Sequence, residues 1–277
     1  MLDRFLTGVA ACAAALGVTM TDLRAWDDAK YPDLKGAWRR PGAAQWDPSK
    51  PRMLGQGAPL TPHYQAVFMA NMADTQAGGQ SYNPQARCFP GGMPRVMIAY
   101  DPIQFIVMPD LTVMRTDHLT ETRHIFTDGR DFPAKITPSF EGYSIGRWVD
   151  ENRDGRFDVL EVETRGMKGP RILDADGIPL ATDNATIVKE QIFLDTANPD
   201  MLHDRITTMD HAFTRPWTVT RSYRRERNPV WPDEPCSEGN RYLVLGKETY
   251  FVGEGGQLMP TRKDQPPPDL KSFEQAK

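Results

Sequence analysis

The sequence predicts an all-β protein, mostly antiparallel, closed into a barrel or stacked as a sandwich, with one N-terminal helix and long loops. Three observations carry that expectation. From Val96 onward, short runs of period-two hydrophobicity succeed one another with turns between them and no helices interposed, which is the pattern of an antiparallel meander. Pro (24) and Gly (22) make up about a sixth of the 277 residues, favouring turns over long helices. The clearest hairpin, YSIGRWVDENRDGRFDVLEVET (Tyr143–Thr164), alternates on both arms, with Leu160 and Val162 on one face and Val159, Glu161 and Glu163 on the other. About eight to ten such strands would leave open edges unless the sheet closed on itself. No repeat of fixed length is present, which argues against a propeller or solenoid.

Residues 1–25 read as a targeting segment. Arg4 precedes a run of small and apolar residues from Phe5 to Met20, as in a secretory signal cleaved near Ala25. The run is too short and alanine-rich for a membrane span. Two other readings stand beside it: Val9-Ala10-Ala11-Cys12 resembles a lipoprotein processing site, and Asp3 suits a short amphipathic helix on a cytoplasmic protein.

Residues 26–95 form an arm and a helix. The stretch 26–62 is dense in Pro, Gly and Trp and reads as an extended arm packing over the barrel through Trp38 and Trp46. His63–Met72 is the best helix: Thr61 caps it, Pro62 takes the first position, and Tyr64, Val67, Phe68 and Met72 share a face. The polar stretch after Met72 reads as loop.

Residues 96–253 are the barrel domain. VMIAY and IQFIVMP read as buried strands, and TVMRTDHLTETRHIFTDG as two strands or one long bent strand. Along it His118, Thr122 and His124 fall on the inward face with Met114 and Thr116, and Arg115, Asp117, Glu121 and Arg123 on the outward face. RGMKGPRILDADGIPLATDN reads as a loop folded across an opening. TIVKEQIFLD, HDRITTMD, PWTVTRSYRR, RYLVLG and TYFVG complete the strands. Residues 254–277, proline-rich and polar, read as a disordered tail.

Composition narrows the partners. A net charge of −4 gives no footprint for nucleic acid, and the local cluster Arg221–Arg227 reads as a solvated strand end. Removing the leader takes Cys12 with it and leaves Cys88 and Cys236, an even count that suggests a disulfide in an exported chain. Free buried thiols are the alternative. A catalytic cysteine is disfavoured because no histidine stands near either in sequence.

The order PDLKGAW, RCFPGGMPR, FTDGRDFP, GYSIGRW, LEVET and EPCSEGNR resembles a family of exported bacterial proteins of unassigned activity. Its motifs are P-D-L-x-G-x-W, C-x-P-x-G-x-P, D-G-R-x-x-P and G-x-S-x-G-x-W followed by V-E-T. The likeness covers most of residues 31–241 and is most specific at the last pair. It implies export and a β-rich fold with Cys88 and Cys236 in matching places, and it brings no reaction. This chain departs from the pattern by lengthening the hairpin turn with ENRDGRF.

Candidate chemistry lies in two places. Asp150–Glu161 fits the calcium-loop pattern: Asp150, Asn152, Asp154, Asp158 and Glu161 offer oxygens, Arg156 its carbonyl, and Gly155 the sharp turn. No helices flank it, and the same string is also a good polar hairpin turn. Calcium is accordingly the one cofactor the sequence suggests, with a structural role ahead of a catalytic one; no organic cofactor is expected. The second constellation is acid, base and aromatic groups expected to face inward. His124, His211, Glu163 and Glu190 are candidates for proton transfer and Arg215 for an oxyanion partner, while His118, Tyr143, Trp148 and Trp217 are candidates for substrate contact. Any one of them also reads as a satisfied polar or core group at a strand end. Gly142-Tyr143-Ser144-Ile145-Gly146 matches a nucleophile elbow, but strand periodicity continues through it where a helix should begin. No His spacing supports a transition metal. The expectation is an exported barrel of the lipocalin-like kind that binds a small, largely apolar molecule, with lyase, hydratase or isomerase chemistry. The alternative is a non-catalytic envelope binding protein with a structural calcium loop.

Overall fold

A computed structural model describes residues 27–52, 55–79, 82–118, 121–231, 236 and 241–271. The targeting segment expected over 1–25 lies outside the described residues. Among them, nine strands close into one barrel: β1 (Ala37–Arg39), β2 (Ile103–Val107), β3 (Leu111–Thr116), β4 (Thr122–Phe126), β5 (Tyr143–Val149), β6 (Val159–Arg165), β7 (Ile187–Leu194), β8 (Met201–Met209) and β9 (Trp217–Glu226). Neighbours pair antiparallel except β4 and β5, which run parallel, so residues 127–142 must carry the chain back from one end of the barrel to the other. One α-helix accompanies them, α1 (Pro62–Gln76). The protein is thus an all-β barrel, not a sandwich.

Closure comes from the N-terminal arm. Trp38 pairs with Ile103 on one side and Arg225 on the other, so β1 is the strand that joins β2 to β9. The arm therefore belongs to the barrel wall instead of lying over it. Three residues show too short a period to be read as a strand; Trp38 is fully buried, its indole N–H donating to the Leu34 carbonyl at 3.0 Å. Conversely, Tyr242–Leu245, Glu248–Val252 and Leu258–Pro260 (β10, β11 and β12) form a separate three-stranded sheet, so the barrel ends at Glu226 and not at 253. The expected disordered tail contains β12, and the Tyr250 hydroxyl reaches the Pro266 carbonyl at 2.9 Å.

Two local expectations change for identifiable reasons. Arg95–Ile98 is a turn of 3-10 helix, not a strand, with the Val96 amide donating to Gly92; all four residues are buried by packing alone, with no sheet partner. Around the β3–β4 turn the inward parity switches. Met114 pairs with Arg123, so the even-numbered inward set of β3 (Thr112, Met114, Thr116) faces an odd-numbered inward set on β4 (Arg123, Ile125). His124 and Thr122 consequently point outward and Arg123 inward, the reverse of the alternation read along one continuous strand.

The lumen is a packed core. Ile103, Phe105, Leu160, Val162, Val188, Ile192, Ile206 and Val219 are buried in one cluster with Trp38 and Tyr223. Gly146 on β5 leaves room for this packing, since a Cβ there would sit 2.7 Å from Ile125. The barrel end where β6 passes to β7 is covered. α1 buries Phe68, Asn71 and Met72, and residues 166–186 bury Ile172, Leu173, Ile178 and Leu180. Asn71 donates to the Gly177 carbonyl at 2.9 Å, tying helix to loop. The helix starts as its sequence dictates, with the Thr61 hydroxyl accepting from the Tyr64 amide, but runs on to Gln76 through residues that read as loop. Cys88 and Cys236 form a disulfide with Cα atoms 5.5 Å apart.

Candidate functional site

Strands β5 to β8 present two sets of polar side chains, one on each face of the wall. Inward, the Arg123 guanidinium forms a fork with Glu190, at 2.9 and 2.5 Å, and donates to the Ser144 hydroxyl at 3.0 Å and the Thr164 hydroxyl at 2.7 Å. Both ionic side chains are almost wholly buried. Asp204 lies beside them, fully buried. Desolvation first, and the Glu190 carboxylate second, push its carboxyl well above the ordinary carboxylate range. Both of its oxygens are buried without a hydrogen-bond partner among the described residues, and this surrounding favours the protonated acid. Arg221, also inward, donates to the Gln45 and Trp46 carbonyls at 2.6 Å each, fastening the arm to β9. Tyr223 donates to the Met97 carbonyl at 2.7 Å.

Outward, the same strands floor a groove of about 640 Å³ beneath residues 129–132. Register places its side chains in two rows. In the first, Arg147 faces Glu161, which faces Gln191, which faces Arg205. Arg147 donates to Glu161 at 2.8 Å, Gln191 to Glu161 at 3.2 Å, and Arg205 to Gln191 at 3.0 Å. The Arg147 hydrogen bond, foremost, holds Glu161 below the ordinary carboxylate range. In the second row Ile145, Glu163, Lys189 and Thr207 stand side by side. Glu163 is clasped by Arg165 and, at 3.3 Å, by Lys189. Phe132 and Ile145 supply apolar surface. Arg205 enters no ion pair among the described residues and also lines an adjoining groove of about 680 Å³, which runs along Phe157, Phe193 and the acidic turn. A volume of this order suits a small organic molecule.

The sequence-predicted site residues are not gathered. His124 is exposed on the outer wall opposite Val113. His211 is exposed near the covered end, bonded to Asp183 at 2.5 Å, and that bond raises its pKa. Arg215 is exposed, Glu163 lies in the groove, and Glu190 is in the lumen. The expected proton-transfer set is therefore spread over four separate surroundings. Among the candidates for substrate contact, His118 lies by Tyr100 and Asp101. Tyr143 stacks between Phe126 and Phe132 near the groove, and Trp148 packs edge-on to Tyr31. Trp217 is core, perpendicular to Phe213.

Ser144 is wholly buried within β5, bonded to Thr164 at 2.8 Å, and strand continues beyond it, so it has neither the turn nor the access of an elbow nucleophile. In the acidic turn, Asp150 accepts from the Asp154 and Gly155 amides, Asp154 from Arg156, and Asp158 from Glu151 and Asn152. Glu161, the last expected ligand, stands in the ion pair with Arg147. No group of three His, Cys, Asp or Glu residues among the described residues is arranged to hold a metal ion.

Sequence reading missed Arg123, Arg221 and a second carboxyl pair, Glu121 and Glu141. The signal for Arg221 was present: Trp217, Val219, Arg221 and Tyr223 share one face of β9. No such signal marks the pair. Glu121 accepts from the Gly91 and Gly92 amides at 2.7 Å each, and Gly92, at φ +60°, leaves no room for a Cβ, which would meet the Phe140 carbonyl at 2.5 Å. Burial, and then the charge of Glu121, push Glu141 up to about 9.

Comparison with family models returns no match, and comparison with curated proteins returns none either.

Proposed function

We propose that the protein is an exported, non-catalytic binder of a small amphipathic molecule, held in the outer groove across β5–β8. The observation that carries this reading is the composition of the groove floor. Its floor carboxylates, Glu161 and Glu163, are each closed by a cation, and among the described residues Arg205 on the floor and Asp131 at the rim enter no ion pair. Paired carboxylates make poor general acids and bases, whereas an apolar wall of Phe132 and Ile145 beside an open guanidinium suits an apolar body with one anionic group. The disulfide supports export, because such bonds persist in oxidising compartments. No helix among the described residues is long and apolar enough to cross a membrane.

Acid–base catalysis is the second reading, and one feature favours it: burial, and then the charge of Glu121, push the carboxyl of the half-buried Glu141 up to about 9. It ranks lower because Glu141 lines neither groove. Calcium in the 150–161 turn belongs to the proposal only as a brace, and terbium luminescence with a chelator back-titration tests it.

The deciding experiment is native mass spectrometry of protein recovered from the cell envelope, followed by calorimetry with the released compound. A retained organic mass, bound at least tenfold more weakly by Arg205→Ala and Phe132→Ala, fits the reading. Equal affinity in both variants removes the groove from it.

A further inference from the structure

The two grooves on the outer wall are successive stretches of one surface. On β7, Lys189 lines the first, Phe193 the second, and Gln191 both; on β8, Thr207 lines the first and Arg205 both. On β6, Glu161 and Glu163 line the first and Val159 the second. Residues two apart on a strand share a face and stand roughly 6.5 Å apart, so the path from Lys189 to Phe193 is about 13 Å long. Arg205 marks the junction. Its guanidinium lies 5.9 Å from the centre of the Phe193 ring and donates to Gln191 at 3.0 Å.

Apolar surface lies on either side of that cation. Phe132 and Ile145 stand in the first groove, and Phe157, Phe193 and Leu194 in the second. Tyr31 packs against Phe157 with ring centres 5.1 Å apart, so the N-terminal arm backs the far wall. Charge is distributed the other way. In the first groove Asp131 stands unpaired at the rim, while Arg147 is taken up by Glu161, Lys189 by Glu163, and Arg130 by Asp128; Glu190 turns inward to Arg123. In the second, Asp33, Glu151, Asp154, Asp158 and Asp195 outnumber Arg156 and Arg205. Asp33 meets Arg225 at 3.6 Å and Asp195 meets His203 at 3.3 Å, whereas Glu151, Asp154 and Asp158 enter no ion pair among the described residues. An anion is therefore favoured at the junction and disfavoured further along, and a chain running into the second groove must end uncharged.

We propose, resting on the binding role proposed for the outer groove, that the ligand is a two-armed amphiphile spanning both grooves. Its one anionic group sits on Arg205, a compact apolar arm lies over Phe132 and Ile145, and a longer uncharged chain runs over Phe193, Leu194 and Phe157. N-acyl derivatives of apolar amino acids have this form, because their carboxylate stands between the side chain and the acyl chain.

Calorimetry on the full chain with N-dodecanoylphenylalanine, kept below the concentration at which it forms micelles, tests this against N-acetylphenylalanine and dodecanoate, each of which lacks one arm. Each methylene removed from water is worth about a fourfold gain, so the two-armed probe should bind at least about tenfold more tightly than either. Phe193→Ala should bring it down towards N-acetylphenylalanine, and Phe132→Ala towards dodecanoate. A carboxylate at the far end of the acyl chain should cancel the gain in the wild type, a measurement that needs no variant. Equal affinities for the dodecanoyl and acetyl compounds, both weakened by Arg205→Ala, overturn the second arm and leave the groove reading in place. A gain that survives Phe193→Ala or the terminal carboxylate overturns it too, as does a failure of the two-armed probe to bind. Binding of all three probes that Arg205→Ala does not weaken overturns the groove reading as well.

Discussion

Residues one position apart on the same strands lead opposite lives. Glu190 and Asp204 face the lumen, while Lys189, Gln191 and Arg205 face the groove. Inside, Glu190 accepts a two-pronged bond from a guanidinium that is almost fully buried, and burial together with the Glu190 charge raises the pKa of Asp204, because a second negative charge has no solvent to stabilise it. Outside, the ion pairs run along the wall with Arg147 largely exposed and Glu161 partly so, where water and salt weaken each of them. Pleating turns one residue of offset into a change of dielectric. Polar groups in the lumen therefore hold strands together out of water, and those on the wall remain in contact with solvent.

The largest test of that contrast is Arg123→Met. It leaves Glu190 buried without its cation and should cost about 3–5 kcal/mol in urea unfolding. Arg123→Met combined with Glu190→Gln should recover much of the loss; no recovery would mean that the arginine acts through packing alone.

Glu141 sharpens the comparison from an intermediate position, since it is mostly buried and yet not in the lumen. Its folded pKa of about 9 lies above the 4.5 of an ordinary glutamate, so the native state binds the extra proton. The stability it contributes is complete below pH 4.5 and is lost as pH rises towards 9, at up to ~1.4 kcal/mol per pH unit. Glu141→Gln should flatten that slope. An unchanged slope would show that the carboxyl is ionised in the native state.

Asp204→Asn is a milder probe. Burial and the neighbouring Glu190 charge raise the pKa of this acid, so a neutral amide in its place should change stability by no more than about 1 kcal/mol at pH 7. A loss of several kcal/mol would show that Asp204 carries charge.

The smallest stability effect belongs to the wall. Arg147→Ala and Arg205→Ala should each alter unfolding by no more than about 0.5 kcal/mol. Arg205→Ala alone should weaken binding of the proposed groove ligand. If both prove severely destabilising, the outer rows are structural and the contrast between the faces fails.

Sequence by itself determined the class of this protein. Period-two runs separated by turns specify strands wherever five or more residues alternate, as they do in β5 to β9. The helix start, written in Thr61 and Pro62, was equally legible, because capping is a local interaction. The tertiary structure decided what depends on partners. Closure through Ala37–Arg39 could not be read from three residues, because a strand that short is defined by the edges it joins. The inversion of His124 and Arg123 was hidden because parity across a turn is set by which residues pair, not by the residues themselves. For the same reason the candidate acids and bases dispersed. Alternation says that two residues lie on opposite faces of a strand, and only the closed sheet says which face is solvent.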